Sequence, residues 1–456
     1  MGKHYDLLVI GAGAAGSTAA SSAAGNGAHV ALIERDKVGG TCLNYGCDPT
    51  KTLLHSAVML YHAHHADRYG LRIPSASFDW GAVEAYTREV IKRIRGGTLD
   101  EVRADMAKKG IEIIKGEASF ASSHEVAVLG QTITAERIIV ASGSQTLVPP
   151  IEGLEKAGFI TNVEAVALSS LPRRLAIVGG GAIGMEFAQM FHRFGVSVTV
   201  LERSSYPLDK EDRELADQLC DLLTGEGIHI ETEAELQHVQ KISDGKQLTY
   251  RCKDGPQQEL VADEILLALG RRPTLEKLNL EAIGVKTGKK GIAVDEYLRT
   301  SVPHIWAAGD VTDGLQFTHV AYQQGKVAAH NAFADHPQPF DGSVIPWVTY
   351  TDPPLAHVGK TEEQLREQGI AYRVGRMKFS EVERAITMGQ TAGMVKLLVD
   401  QQDNILGGHI LGARADDLLA PVIVAMHARI PARQLASTII PYPTLSEAVR
   451  WAADRL

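Results

Sequence analysis

Cysteine is scarce in this chain: its 456 residues include four. That excludes a disulfide-stapled scaffold, and a chain this long can bury several cores without one. Two to four domains are expected. Runs of lysine and arginine are also missing and the net charge is −9, which argues against nucleic acid as a partner. No apolar run reaches the length of a bilayer span, so no membrane partner is expected. The apolar stretch LLVIGAGAAGSTAASSAAG begins too soon after Met1, behind too weak a basic start, to read as a signal peptide. These absences point to a soluble cytoplasmic protein in which any disulfide is catalytic. Aromatics are few (6%), whereas the 44 glycines suit tight turns and close backbone approaches.

The glycines are ordered. YDLLVI (5–10) reads as a buried strand and runs into GAGAAG, which places Gly11, Gly13 and Gly16 in G-x-G-x-x-G spacing. A small-residue helix follows, then the strand HVALIE, ending on Glu34. This is a complete βαβ unit. Gly11 permits the turn, Gly13 lets backbone approach a pyrophosphate, and Gly16 lets helix and strand pack. The helix N-terminus offers N–H groups to phosphate, and Glu34 can accept from a ribose. The same unit recurs as LAIVGGGAIGMEFAQMFHRFGVSVTVLER, with Gly179, Gly181, Gly184 and Glu202. Gly11 and Gly179, Gly27 and Gly195, Glu34 and Glu202, and Arg35 and Arg203 all stand 168 residues apart. Two units in register imply two dinucleotides, the requirement of a hydride relay.

Residues 135–143 (AERIIVASG), 263–270 (DEILLALG) and 304–310 (HIWAAGD) read as strands ending at Gly143, Gly270 and Gly309. Asp310 suits either a cofactor hydroxyl or a turn cap. From about residue 341 the pattern changes to antiparallel strands with helices near 415–429 and 445–455, a separate α+β domain. The fold class is therefore α/β: two Rossmann-like dinucleotide-binding domains and a C-terminal α+β dimerisation domain.

Two of the four cysteines lie together in GGTCLNYGCDPTK, residues 39–51. In a regular helix Cys42 and Cys47 would be about 7.5 Å apart along the axis. A disulfide prefers Cα atoms roughly 4.4–6.8 Å apart, so a bridge requires an irregular segment. Gly39, Gly40 and Gly46 allow one, and Pro49 with Leu53, Leu54 and Val58 signals a helix starting close behind Cys47. Such a helix start favours a thiolate. From spacing alone the pair stands equally as two buried thiols or as a redox pair; no metal site is expected, for want of a second Cys/His pair.

GGTCLNYGCDPTK, taken with GAGAAG, GGGAIGMEFAQ and IWAAGD, resembles the FAD-dependent pyridine nucleotide–disulfide oxidoreductases, which include dihydrolipoamide dehydrogenase, glutathione reductase and mercuric reductase. The resemblance spans essentially the whole chain. It implies FAD in the first unit, bound also by Asp310, and NADH or NADPH in the second. It implies that Cys47 lies against the flavin and that Cys42 is the exchange thiol of a redox disulfide. Lys51 matches the family lysine near the flavin, paired with Glu186. The segments implied are 1–150 and 271–340 for FAD, 151–270 for the nicotinamide cofactor and 341–456 for the interface. A homodimer with shared active sites follows, in which Tyr442 and Glu447 of one chain face Cys42 of the other.

The chain departs from the pattern in two places. Where thiol-handling members carry the acid/base histidine of an H-P-x…E motif, this chain has PYPTLSEAV, with Tyr442 in its place and Glu447 retained. Tyrosine titrates near 10, too high for proton transfer at neutral pH, so His319 or His427 would be the substitutes. Mercuric reductases also have a tyrosine there, and TDGLQFTHVAYQQG resembles their loop. They usually end in a vicinal cysteine pair; residues 451–456 contain none, so delivery of metal by such a pair is not expected. Cys220 and Cys252 read as structural. The second departure, Asp48, reads as an N-cap ahead of Pro49 in preference to a charge acting on the Cys47 thiol. Glu202 favours NADH over NADPH. The preferred reading is an NAD(P)H oxidoreductase passing electrons through flavin and the Cys42–Cys47 pair to a small molecule or metal ion. The alternatives are a dihydrolipoamide dehydrogenase or other disulfide reductase without its histidine, and a redox-sensing flavoprotein that binds a partner.

Overall fold

The apolar run near the N-terminus forms the strand His4–Ile10, in which Leu7, Leu8 and Val9 are fully buried. A strand covered on both faces has to be apolar at successive positions. In the computed structural model, which describes residues 3–253 and 255–456, this strand lies between Val30–Glu34 and Gln131–Val140, parallel to both. Ile111–Lys115 extends the sheet on one side and Ile305–Ala307 on the other. The chain thus completes its first sheet only after building the second, an all-parallel set in the order His229–Glu231, Ser197–Leu201, Arg174–Val178, Glu264–Leu267.

The 168-residue repeat holds at the level of register. Leu7 pairs with Val30 and Val9 with Leu32; Leu175 pairs with Val198 and Ile177 with Val200. Each of the two repeated units also carries an antiparallel meander that the sequence reading did not anticipate: 119–140 in the first, 234–262 in the second. The C-terminal domain is a five-stranded antiparallel sheet in the order Pro346–Thr349, Leu355–Gly359, Ile405–Leu411, Met394–Val399, Arg373–Lys378. Its core includes Ala415, Val422, Ala448 and Ala452 from the helices packed on it. The helix expected at 415–429 is two, Ala415–Leu418 and Ala420–His427. Pro421 is the reason: it has no N–H to give a continuing helix but suits the first turn of a new one.

Two buried polar contacts tie the second unit to the C-terminal domain. Lys396, 1% exposed, reaches Asp212 at 2.9 Å, Glu214 at 3.0 Å and Glu362 at 2.6 Å. Arg193, also buried, bridges Glu226 at 2.7 Å and Asp352 at 2.8 Å. Among the described residues no helix is long and apolar enough to cross a membrane.

Candidate active site

The two fingerprint loops have the same geometry. Gly11 (φ +100°) and Gly179 (φ +111°) occupy backbone positions that side chains rarely adopt. A Cβ on Gly16 would fall 1.8 Å from the Gly11 carbonyl oxygen, and one on Gly184 1.9 Å from that of Gly179, so packing alone demands glycine there. Gly13 and Gly181 differ. Their φ angles, −76° and −75°, suit any residue. A Cβ on Gly13 would meet protein no closer than 4.0 Å, and one on Gly181 nothing within 4 Å. Nothing in the chain requires glycine at either place, whereas a phosphate resting on the helix N-terminus would. The donor set therefore fits a dinucleotide in each unit. Glu34 accepts from the Ala12 and Asp36 N–H groups at 2.7 Å each, and Glu202 from Gly180 and Ser204 at 2.6 Å each. Each carboxylate is fixed in place with lone pairs left over for a ribose diol. Arg35 and Arg203 both point outward and are exposed.

Gly143, Gly270 and Gly309 end their strands with positive φ, and the residues after them converge. Ser144 Oγ donates to Asp310 at 2.6 Å, and Arg271 donates to the Ser144 hydroxyl and carbonyl at 2.8 and 2.7 Å. Burial pulls the Arg271 guanidinium below its ordinary value, against the opposing pull of Asp310 and Cys47. The sequence reading missed Arg271; its one local signal was its place directly after Gly270.

Between these loops stands the cysteine segment. It is irregular as required: a short helix Gly40–Tyr45, a break at Gly46 (φ −128°, ψ −113°), and a long helix Cys47–His64. Both cysteines are half-buried, and neither forms a disulfide here. The Cys47 thiol is lowered from its ordinary 9.0 to about 6. The largest cause is the hydrogen bond from Cys42; Thr318 and Lys51 add to it, while burial and Asp48 oppose it. The Cys42 thiol moves the other way, raised by that same bond and by burial. One thiolate shared by the pair, resting on Cys47, is the stable reduced state.

Thr318 is the second residue missed by sequence reading. Its Oγ1 lies 3.5 Å from Cys47 Sγ, at the start of the helix Thr318–Phe333. A stack of rings seats that helix start: Phe317 on Trp347 at 5.6 Å, and Trp347 on the buried His357 at 3.7 Å.

Lys51, one turn into the cysteine helix, pairs with Glu186 at 2.7 Å and lies over the Tyr350 ring. Burial would lower the lysine, but the Glu186 carboxylate outweighs it and the net shift is upward, so it stays a cation. Glu186 also accepts from the Tyr350 N–H at 2.8 Å. Farther along the helix that carries Glu186, Ala182–Arg193, Gln189 and Arg193 hold Asp352. The C-terminal domain is thereby stitched along the helix that carries the second fingerprint.

Two expectations change. Asp48 is not the helix cap: the helix begins at Cys47, Gly46 occupies the cap position, and no side chain caps it. The Asp48 carboxylate does act on both thiols, raising each, though on Cys47 other groups outweigh it. Within one chain Tyr442 and Glu447 are not among the groups that act on either thiol. Tyr442 is 71% exposed, and Glu447 is buried, accepting from the Thr444 N–H at 3.1 Å. Within one chain neither His319 nor His427 is among the groups that act on the thiols. His319 stacks on Phe317 and is bonded to the Pro346 backbone, burial lowering its pKa, while His427 acts on Asp341. Burial pushes the Cys220 thiol up to about 12 and also raises Cys252, so neither is a competing nucleophile.

The chain matches two family models: "Pyridine nucleotide-disulphide oxidoreductase" over residues 5–325 and the dimerisation domain of the same name over 345–453. It is 36% identical to a mercuric reductase of Staphylococcus aureus, covering 98% of this chain and 82% of that one. It is 37% identical to a dihydrolipoyl dehydrogenase of Thermus scotoductus, covering 100% and 98%. Among solved structures it is similar to the HOCl-induced flavoprotein disulfide reductase RclA from Escherichia coli (TM-score 0.87, 33% identity, 98% of each chain). The Cu(II) complex of that protein superposes with a TM-score of 0.89 at 32% identity, over 100% of this chain and 99% of the other.

Proposed function

This chain belongs to the pyridine nucleotide-disulphide oxidoreductases, and from that premise we propose that its reduced Cys42–Cys47 pair passes electrons to a metal ion. It is an FAD-dependent oxidoreductase; FAD, when bound, supplies the two-electron carrier between nicotinamide and dithiol. The first fingerprint with Glu34, Ser144 and Asp310 would hold FAD, and the second with Glu202 the nicotinamide cofactor. The fixed Glu202 carboxylate would repel a 2′-phosphate, which favours NADH. Lys51, kept charged by Glu186, helps hold Cys47 as the thiolate, and Thr318 donates to it.

The single observation that carries the metal-ion reading is that, among the described residues of one chain, no imidazole is among the groups that act on the dithiol, and the segment expected from a second chain brings Tyr442 rather than a histidine. A disulfide or dithiol substrate needs a proton moved at each exchange step. Reduction of a thiolate-bound metal ion needs no such group, since a soft cation displaces the thiol proton itself. Both a mercuric reductase and the protein seen with Cu(II) stand among the similar proteins. In the dimer, the partner's copies of the exposed Tyr442 and buried Glu447 would close the site. Tyr442 stands with Ile439, which is 96% exposed, on a surface that suits burial by a second copy.

The test is NADH oxidation by the FAD-loaded protein with chelated Cu(II), thiol-complexed Hg(II) and lipoamide in parallel, repeated on Cys42→Ser. Metal turnover that depends on Cys42, with negligible lipoamide turnover, is expected. Fast lipoamide turnover lost in the variant would instead make the chain a disulfide reductase that tolerates Tyr442.

A further inference from the structure

We propose that Asp48 makes the dithiol site selective for positively charged acceptors over neutral or anionic ones. The inference rests on the metal-ion reading in naming the natural acceptor, but its charge rule applies to anything that reaches Cys42.

Asp48 sits in the first turn of the cysteine helix, directly after Cys47. Its carboxylate is half-buried and makes no hydrogen bond or ion pair among the described residues. The cations nearby are engaged elsewhere: Lys51 with Glu186, and Arg271 with Ser144 beside Asp310. On the open side of the dithiol stands Tyr322, 49% exposed, close enough to feel the charges of Cys42, Asp48 and Cys47. Burial and those charges push its phenol upward, so it adds no charge of its own at neutral pH. Lys326, one turn farther along the same face of that helix, is exposed and solvated, where its field is screened. Among the described residues the reduced site therefore presents two negative charges, the Cys47 thiolate and Asp48, and Lys51, the cation that acts on both, is already paired with Glu186.

This arrangement is costly for ordinary thiol chemistry. A carboxylate partly out of water lacks compensation, and it works against the thiolate it adjoins. Burial raises the Asp48 carboxyl, with Lys51 pulling it back, which is the signature of that cost. A cation entering beside Cys42 relieves both charges at once, whereas an anion adds to the repulsion.

The probe reaction is thiol–disulfide exchange with three small disulfides: cystamine (dication), bis(2-hydroxyethyl) disulfide (neutral) and dithiodiglycolate (dianion). Cys42 gives its thiol proton to the Cys47 thiolate, attacks one sulfur and expels a thiolate; Cys47 passes that proton to the departing thiolate, closes the protein disulfide and expels the second thiolate, which takes its proton from water. Two electrons leave the dithiol, and NADH restores them. Rates are measured on the NADH-reduced, FAD-loaded enzyme, wild type and Asp48→Asn, at low and high salt. A unit charge some 8–10 Å from the probe at near-surface dielectric is worth about tenfold in rate. Relative to the neutral probe, which reports what the variant does to the thiols themselves, Asp48→Asn should slow cystamine about tenfold and speed dithiodiglycolate about tenfold.

Wild type alone should show the same rule without any variant, cystamine slowing with salt and dithiodiglycolate quickening. Asp48→Glu, which keeps the charge, should retain the wild-type pattern. Equal changes for all three probes, or salt curves of one sign, would overturn the proposal. Metal turnover is scored separately: an enzyme that shows the charge pattern but reduces no metal ion loses the metal reading alone. One that reduces metal without the pattern loses this inference alone.

Discussion

Replacing Thr318 by valine removes one hydroxyl and leaves the side chain almost the same size. That hydroxyl lies 3.5 Å from Cys47 Sγ and donates to it when the sulfur is a thiolate. A hydrogen bond to a charged group contributes roughly 1.5 kcal/mol or more. With about 1.4 kcal/mol per unit of pKa, losing the bond should raise the Cys47 thiol by about one unit. The direction follows from which form is bonded: the donor favours the thiolate, so its loss favours the thiol. The assay is alkylation of Cys47 by iodoacetamide across pH, read by mass spectrometry on the FAD-loaded protein. A Cys42→Ser background keeps a hydroxyl donor beside Cys47 and removes the competing nucleophile. The rate follows the thiolate fraction, and its midpoint should climb by about one unit on Thr318→Val. Trp347→Leu, which takes away the ring that seats Phe317, should shift the midpoint the same way by a smaller amount. A midpoint that stays in place on Thr318→Val would refute the reasoning and leave Cys42 and Lys51 as the thiolate's supports.

Further outcomes follow from the same geometry. Gly184→Ala forces a Cβ to within 1.9 Å of the Gly179 carbonyl oxygen; FAD should stay bound while NADH affinity, read by flavin reduction, falls by at least about tenfold, or about 1.4 kcal/mol. Loss of FAD as well would show that the damage is not local. Lys396→Met leaves Asp212, 1% exposed, without its lysine, and should cost about 3–5 kcal/mol at neutral pH. The pH dependence should also invert. In wild type the Glu362 carboxyl is held at about 2, against burial, mainly by its hydrogen bond to Lys396. Its pairing therefore stabilises the fold above the ordinary carboxylate value and is lost as pH falls toward about 2. In the variant the stranded Asp212 carboxylate favours a proton, so the thermal midpoint should rise as pH is lowered from neutral toward 5, roughly one unit above the ordinary carboxylate range. A midpoint that falls in parallel with wild type would remove the cluster's assigned role.

Much of this protein was determined within short stretches of its sequence. The turn at Gly11, the packing at Gly16 and the carboxylate at Glu34 lie within 24 residues of one another and repeat at the same spacing, so their chemistry is local. The same holds for the cysteine segment, where glycine permits the break and a helix start favours the thiolate. Locality also explains the errors. Asp48 had the right residue type for a cap, but the helix began two positions earlier than such a cap would set, at Cys47 rather than Pro49. The helix at 415–429 read as one because its apolar pattern runs through Pro421.

Only the tertiary structure decided which distant groups meet the dithiol. Lys51 and Glu186 are 135 positions apart, and Cys47 and Thr318 are 271. Arg271 joins Ser144 and Asp310 because three strand ends of separate origin converge. Such meetings depend on sheet order and on how one domain leans against the next, which no periodicity encodes. The sequence by itself determined that there are two nucleotide cradles and a reactive cysteine pair. The fold decided which charges surround that pair, because electrostatic neighbours are set by distance in space rather than along the chain.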